Sequence, residues 1–229
     1  QIKKYLIPAF EGMAIEDIST DEVQRLFNNM NGAKSTKDKT KIVLNQILDA
    51  AVEDNLLPKN PLKSKRLKIT GRESKTTAPY SVDQMRYLVQ HIGDVKQSQD
   101  RAYLALQAFH PLRLEEVLGL KWADIDMDNG AIYICRAVTH PDRNRPEIKG
   151  TKTERSNRNI GLVQLATQYL IPGNSEEFVL GGSKPLSYQQ VKRMCLRIQA
   201  DTGFSEKITP IRFRTTVLTD LYESTHDIK

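Results

Sequence analysis

The sequence is poor in cysteine and has no long apolar run, and each shortage excludes a class of protein. Its 229 residues include only two cysteines, Cys135 and Cys195. Two cysteines provide neither a disulfide framework nor a metal-ligand spacing, so a reducing cytoplasm is the expected setting. No segment is apolar enough to cross a membrane, and the N-terminal stretch with its early Pro8 does not look like a signal peptide. A secreted disulfide-rich protein and a membrane protein are therefore excluded.

Composition favours a globular protein with a basic surface. Hydrophobic residues make up 39% and charged residues 27% of the chain, and the length allows two modest domains or one large one. The net charge of +6 makes nucleic acid a reasonable partner. Basic residues concentrate in two runs, residues 59–75 and 136–158. A single charge run is usually ordinary solvated surface, but two runs on one chain strengthen the case for DNA.

Two helices are predicted in the first quarter of the chain. Ser19 or Thr20 caps the first, and the second runs from about residue 35 to residue 55. The apolar residues expected on the buried face of the second helix are Ile42, Val43, Ile47, Leu48, Ala51 and Val52. Lysines crowd its N-terminal end against the helix dipole, which suits a bound polyanion, although they could equally extend into water. The lysine-rich and proline-rich segment 56–81 lacks periodicity and is interpreted as an interdomain linker.

The rest of the chain alternates helices and short strands. Apolar spacing predicts helices at residues 81–91, 100–109, 112–119, 162–170, 187–202 and from about 210 onward. Strands are predicted near residues 132–134, 158–162 and 178–180. The polar segment 139–150, which is rich in proline and arginine, is predicted to be a loop.

One arginine stands out in the stretch HPLRLEEVLGLKW. Pro111 ends the preceding helix, and Gly119 is well placed to end the next. Arg113 and Glu116 share one face of this helix, so the carboxylate can fix the direction of the guanidinium. A guanidinium held in this way suits a phosphate or a carboxylate. The alternative is an ordinary, partly exposed helix ion pair.

Three motifs, with their order and spacing, resemble those of the tyrosine recombinases, the integrase family of phages and conjugative transposons. They are R-x-x-E at 113–116 followed by LGLKWADID, T-K-T at 151–153, and T-P-x-x-x-R at 209–214. The resemblance covers nearly the whole chain and implies its organisation. Residues 1–70 would form an α-helical core-binding domain, N-terminally incomplete, and residues 71–79 a basic linker. Residues 80–229 would form a mixed α+β catalytic domain, mainly helical with a small antiparallel sheet and C-terminally incomplete.

The resemblance also implies a reaction. In the family a tyrosine attacks a DNA phosphodiester, giving a 3′-phosphotyrosyl link and a free 5′-hydroxyl, with no metal and no cofactor. Arg113 and Arg214 match the two arginines that clamp the phosphate oxygens. Lys152 matches the lysine that protonates the departing 5′-oxygen. Glu116 and Arg212 are expected to support this site.

The chain departs from the family's pattern in two places. Ile211 stands where the family usually has a histidine, which puts efficient cleavage in question, and Arg212 is the expected compensation. The chain also ends at Lys229, before the region where the family places its tyrosine. Tyr222 lies on the same predicted helix as Arg214 and is expected to pack rather than to attack. We therefore expect this chain to bind DNA but not to cleave it, with the nucleophile beyond residue 229.

Double-stranded DNA is the implied partner, and the full-length protein is expected to form a homo-tetramer in its synaptic complex, in the bacterial cytoplasm at the nucleoid. Phosphate contacts would supply most of the affinity, and the helices that start near residues 35 and 187 would read bases. The residues expected to contact DNA have long or polar side chains: Lys37, Lys39, Lys41, Lys65, Arg66, Lys68, Thr153, Arg155, Tyr188, Gln189, Lys192 and Arg193.

Two other functions remain open. The same fold would serve a non-catalytic DNA-binding accessory protein derived from a recombinase, with Ile211 as a sign of lost activity. A metal-dependent nuclease requires a carboxylate cluster, for which Asp124, Asp126 and Asp128 are the tightest candidates. These three lack an accompanying histidine and suit the capping of a turn better than the binding of a metal.

Overall fold

The computed structural model describes residues 1–73, 76–142, 145–150 and 157–225. Its contacts divide the chain into two compact units, an N-terminal unit of residues 1–76 and a C-terminal unit of residues 77–229. The first unit extends six residues past the domain end predicted at residue 70. The backbone N–H of Lys34 donates to the carbonyl of Arg72 at 2.8 Å, which ties this extension to its own unit.

The N-terminal unit is helical. A π-helical turn at Ile2–Leu6 leads into α1 (Ile7–Phe10), and α2 (Thr20–Asn29) and α3 (Lys34–Glu53) follow. Ser19 caps α2 by accepting a hydrogen bond from the Glu22 amide at 3.2 Å. The most deeply buried residues of this core come from both long helices: Val23, Phe27, Leu44 and Leu48.

Helix α3 buries a different face from the one that its apolar residues predict. Ile42 and Ile47 are 59% and 40% exposed, so their predicted burial is wrong. The buried stripe instead follows Lys37, Thr40, Leu44, Leu48 and Ala51. The stripe admits two polar residues because each has a hydrogen-bond partner, which removes much of the cost of burying them.

The segment interpreted as a linker from residue 56 packs largely on the N-terminal unit. Leu57 and Leu62 are buried, and a 3₁₀ turn spans Pro61–Lys63. The side-chain amide of Gln24 accepts from the N–H of Lys68 and donates to its carbonyl, both at 2.8 Å. The linker interpretation is therefore wrong for residues 56–72. Contacts with residues that are distant in the sequence hold this segment in place. The segment therefore needs no apolar periodicity of its own.

The C-terminal unit is built around one buried helix. The described residues of this unit form six α-helices, α4 (Val82–Gln90), α5 (Ser98–Phe109), α6 (Leu114–Gly119), α7 (Gln164–Thr167), α8 (Tyr188–Thr202) and α9 (Pro210–Thr225). Every residue of α5 from 102 to 108 is buried, and the other five helices contact it. A helix that is apolar on all sides is expected at the centre of a core. None of the described helices could span a membrane.

In the part of this unit that the structure describes, five short strands form two antiparallel sheets. β1 (Ile125–Asp126), β2 (Ala131–Ile134) and β5 (Arg158–Gly161) pair in the order β1-β2-β5, and β3 (Arg136–Asp142) pairs with β4 (Arg145–Gly150). The predicted mixed α+β domain, mainly helical with a small antiparallel sheet, is confirmed.

Three local predictions in this unit are wrong. Residues 139–150 were expected to form a loop but belong largely to the β3–β4 pair, whose second strand is mostly exposed and so lacks apolar alternation. The helix predicted at 162–170 is reduced to α7, and in the strand predicted at 178–180 only Phe178 pairs, through isolated bridges to Lys121 and Gly182. Gly119 does end α6, and a Cβ there would lie 2.8 Å from the carbonyl oxygen of Arg136, so glycine allows β3 to approach.

Candidate active site

Arg113 is held at the start of α6 by Glu116. Arg113 is the residue that precedes the helix rather than its first member, with an extended backbone (φ −72°, ψ 150°). Its backbone N–H donates to Glu116 Oε2 and its Nη1 donates to Glu116 Oε1, both at 2.9 Å. One carboxylate therefore caps the helix and orients the guanidinium. The Arg113 side chain is 57% exposed, so its remaining donors are accessible.

A second arginine, which is not among the predicted site residues, contacts the same carboxylate. Arg158 begins β5 and donates from Nη1 and Nη2 to the two oxygens of Glu116, each at 2.9 Å. This two-point contact is the most directional form of an arginine–carboxylate pair. Arg158 had stood out only as a member of a basic run, because nothing local in the sequence connects residues 116 and 158.

Glu116 is ionised despite its burial. Burial raises the pKa of this carboxyl, but the hydrogen bonds from Arg158 and Arg113 outweigh it, so the pKa of Glu116 lies below its ordinary value of 4.5. The carboxylate is thus charged at neutral pH and holds the two guanidinium groups in fixed positions.

Arg214 brings a third guanidinium to the same place. It lies in the second turn of α9 and donates from Nη1 to the carbonyl of Pro111, the residue that leads into the Arg113 loop. Burial lowers the pKa of Arg214, and the nearby charges of Arg113 and Arg158 lower it further. Arginine nevertheless stays charged in proteins. Three guanidinium groups therefore lie near one carboxylate, which pairs with Arg113 and Arg158, so the cluster is suited to an anion.

Arg113 and Arg214 open onto one cleft of about 730 Å³, called here the arginine cleft. Its walls also include Tyr188, Gln189 and Lys192 from α8 and the residues 207–211 that lead into α9. The fold thus joins two predicted catalytic residues and three predicted DNA-contacting residues, although 75 residues or more separate Arg113 from the other four. Ile211, which stands in the position of the family's histidine, lines the same cleft.

Arg212 does not belong to this cluster, which corrects the prediction that it supports the site. Its guanidinium lies 3.9 Å from the centre of the Tyr80 ring and pairs with Glu206. It also donates to the carbonyls of Ala78 and Pro79 at 3.1 and 3.3 Å. Two positions along a helix correspond to a rotation of about 200°, so Arg212 and Arg214 point to opposite sides of α9.

Lys37, which was predicted to contact DNA, is not available for such a contact. Its side chain is buried, and its Nζ donates to the Phe27 carbonyl at 2.6 Å, near the C-terminal end of α2. A cation at the carbonyl end of a helix is stabilising, and this contact keeps the ammonium away from any external ligand.

The other predicted DNA-contacting residues divide into two groups. Thr153 and Arg155 lie outside the described residues, as does the predicted catalytic residue Lys152. The exposed group comprises Lys39, Lys41, Lys65, Arg66, Lys68, Tyr188, Gln189, Lys192 and Arg193.

Two of the three candidate metal ligands, Asp124 and Asp126, have structural partners. Asp124 pairs with Arg136 and accepts the Lys121 amide at 2.7 Å. Asp126 accepts the backbone N–H of Asn129 at 2.9 Å. Within the described part of the chain, no group of three or more His, Cys, Asp or Glu residues has a geometry that could hold a metal ion. These contacts are those of turn-capping carboxylates.

His110, at the end of α5, fixes the loop that carries Arg113 and should make the fold pH-sensitive. Its Nδ1–H donates to the Leu106 carbonyl at 3.2 Å, and its Nε2 accepts the Val163 N–H at 3.0 Å, which only a neutral imidazole can do. Burial lowers the pKa of His110 from 6.5.

The imidazole of His110 therefore becomes protonated at a higher pH in the unfolded chain than in the folded protein. We expect the free energy of unfolding to fall as the pH drops below about 6.5, by at most ~1.4 kcal/mol per pH unit.

Urea unfolding between pH 7.5 and pH 5.5 measures this dependence. The slope should be smaller in His110→Gln than in His91→Gln, which alters a histidine that contacts Tyr87 by a hydrogen bond of 2.7 Å and by ring stacking at 3.9 Å. A full slope in His110→Gln would assign the pH dependence to another group.

Comparison with known proteins identifies the family of the chain. Residues 80–229 match the Phage integrase family. A protein named tyrosine recombinase XerC-like, from Caldanaerobacter subterraneus subsp. tengcongensis, is 29% identical over 132 residues. That match covers 56% of this chain and 34% of the relative's own length.

The fold is similar to those of solved integrases. The Tn1549 transposon integrase, in complex with a circular intermediate DNA, matches 97% of this chain and 80% of its own, with a TM-score of 0.79 and 16% identity. The lambda integrase bound to DNA matches 97% of this chain and 77% of its own, with a TM-score of 0.66 and 14% identity. These likenesses concern the fold, whereas the family match covers most of the sequence. The chain therefore belongs to the phage integrase family, the tyrosine recombinases.

Proposed function

We propose that the protein is a site-specific recombinase or integrase of a mobile element, which cuts and rejoins DNA through a 3′-phosphotyrosyl intermediate. The observation that carries the proposal is the placement of Arg113 and Arg214 at one cleft, with Glu116 and Arg158 behind Arg113. Family membership and the likeness to integrases that were solved with DNA support it.

The arrangement suits phosphoryl transfer. Negative charge spreads over the phosphoryl oxygens in the transition state and is best met by donors that are already in place. In the proposal, Arg113 and Arg214 each donate to a non-bridging oxygen, and Glu116 with Arg158 positions Arg113. Lys152, outside the described residues, is proposed as the general acid for the departing 5′-oxygen.

The proposed partner is double-stranded DNA in the bacterial cytoplasm, with a tetramer as the synaptic assembly. The exposed lysines and arginines of both units would contact phosphates and make binding strongly dependent on salt. Tyr188, Gln189 and Arg193, at the exposed N-terminal part of α8, are the proposed base-reading residues.

Trapping of the covalent intermediate tests the proposal. The natural polypeptide is incubated with junction DNA from its own element, nicked opposite the cleavage position, and then denatured. A protein–DNA adduct that forms in the presence of a chelator is expected, and mass spectrometry of the adducted peptide identifies the tyrosine. Tight DNA binding without any adduct would instead favour a DNA-binding accessory protein, for which the exposed Ile211 in the arginine cleft is the supporting observation.

Lys37 and Lys39, two neighbouring lysines of α3, should respond in opposite ways to substitution by alanine. Lys37→Ala leaves the Phe27 carbonyl unpaired and should lower the free energy of unfolding by about 1–3 kcal/mol. Lys39→Ala should leave stability nearly unchanged, weaken DNA binding and reduce the salt slope by about one. Urea unfolding and fluorescence anisotropy at several salt concentrations measure the two effects. The assignment fails if Lys37→Ala loses DNA affinity at full stability.

A further inference from the structure

Tyr80 links the beginning of the C-terminal unit to the turn that precedes α9. The side chain is 3% exposed. Its hydroxyl donates to the carbonyl of Lys207 and accepts the backbone N–H of Thr209, both at 3.2 Å. A phenol has one proton to donate and can accept in return, so the two contacts are compatible. The hydroxyl therefore closes the turn on both sides of Ile208.

The rest of Tyr80 is fixed against α9 itself. Its ring packs against Phe213 at a centroid distance of 5.1 Å, and the guanidinium of Arg212 covers the ring at 3.9 Å. Its backbone N–H donates to Thr216 Oγ1 at 2.8 Å. Tyr80 thus contacts the preceding turn and the first two turns of α9, on both sides of Arg214 in the sequence.

Arg214 depends on this anchoring more than Arg113 does. Arg113 has Glu116 as its dedicated carboxylate. Among the residues that the structure describes, Arg214 has no salt-bridge partner, and its Nη1 contacts only a carbonyl, that of Pro111. The direction of its guanidinium is therefore set by the placement of the helix that carries it. Helix α9 also begins at Pro210, which has no N–H of its own to hold the turn.

The same turn forms a wall of the arginine cleft. Residues 207–211 line it together with Arg214. A displacement of this turn would move the cleft wall and the arginine together. Small displacements of catalytic groups carry large rate penalties, because the donors must lie at hydrogen-bond distance from the transition state.

We propose that Tyr80 is a positioning residue that holds the start of α9 and thereby sets the position of Arg214 in the arginine cleft. This inference rests on the proposed recombinase function. Tyr80 does not line the cleft, so it acts through the turn at residues 207–209 and not on DNA.

Tyr80→Phe tests the inference because it removes both hydroxyl contacts and keeps the ring. Tyr87→Phe is the matched control. The Tyr87 hydroxyl donates to the Thr202 carbonyl at 2.8 Å, at the end of α8, and its ring lies 6.0 Å from that of Phe204. Each variant loses one hydrogen-bonded phenol hydroxyl in the same unit, but of the two tyrosines only Tyr80 contacts the turn before α9.

Two readouts are compared. In hydrogen exchange, peptides that cover residues 207–214 should exchange about tenfold faster in Tyr80→Phe than in Tyr87→Phe. At saturating DNA, Tyr80→Phe should form the covalent adduct about tenfold more slowly, with unchanged DNA affinity, while Tyr87→Phe keeps the wild-type rate. Equal exchange in the two variants overturns the inference, as does an unchanged adduct rate in Tyr80→Phe.

The exchange experiment separates this inference from the proposed function. A wild-type protein that binds DNA but forms no adduct overturns the recombinase proposal. Exchange at residues 207–214 then decides by itself whether Tyr80 anchors the start of α9.

Discussion

Replacement of Arg113 or Arg214 by alanine is expected to slow covalent adduct formation by about 10²–10³-fold, the usual cost of losing one preorganised donor to a developing charge. DNA affinity should fall far less, because one phosphate contact among many is lost. Single-turnover adduct formation on nicked junction DNA measures the rate, and anisotropy measures the affinity. The rate of adduct formation should therefore fall much more than the DNA affinity.

Arg86→Ala is the matched control for this experiment. It removes the same charge from an exposed arginine of α4 that pairs with Asp83 and does not line the arginine cleft. Adduct formation should stay at the wild-type rate. If Arg113→Ala and Arg214→Ala cleave as fast as Arg86→Ala, the two cleft arginines do not contact the reacting phosphate, and the proposed mechanism is wrong.

Glu116→Gln should reduce both stability and cleavage. The carboxylate accepts four hydrogen bonds, two from Arg113 and two from Arg158. An amide has only one acceptor oxygen, so the two guanidinium groups would lose partners and repel each other close to Arg214. Loss of one member of a fully buried pair costs about 3–5 kcal/mol, but both arginines here are partly solvated. We therefore expect the free energy of unfolding to fall by about 2 kcal/mol.

The neighbouring residue provides the control for Glu116. Glu115→Gln makes the same change of charge one position earlier on an exposed side chain and should leave stability within about 0.5 kcal/mol of wild type. The pKa of Glu116 lies below 4.5, so its contribution to stability is complete above that pH and declines as the pH falls toward the lowered pKa. Urea unfolding at pH 7 and pH 4 should show this decline in wild type and Glu115→Gln, and a smaller decline in Glu116→Gln. Equal stability of the two variants would contradict a structural role for the carboxylate.

The sequence by itself determined the elements whose stabilising contacts are local. Ser81 and Ser187 begin α4 and α8 through capping boxes closed within three residues, and Gly203 ends α8 with φ +66°. The pairing of Arg113 with Glu116 spans the same distance. Hydrogen bonds of this kind depend on a few consecutive residues, so the residue pattern is sufficient to predict them.

The predictions for α3 and Arg212 are wrong because packing, and not the local residue pattern, decides which side chains face inward. Ile42 and Ile47 form an apolar pattern, yet α3 turns a face with Lys37 and Thr40 inward because residues of other elements satisfy the ammonium and the helix's own turn satisfies the hydroxyl. Arg212 and Arg214 look alike in sequence, and only the packing of Tyr80 against Phe213 and Arg212 of α9 decides which of the two arginines faces the cleft.

Only the tertiary structure decided the composition of the arginine cleft. Arg158 reaches Glu116 across 42 residues, Arg214 reaches Pro111 across 103, and Tyr80 reaches Thr209 across 129. The sequence supplied the residue types and the motifs by which the family can be recognised. Which distant residues meet depends on how the helices pack around α5, because burial of apolar surface fixes that packing but favours no particular pair of polar residues.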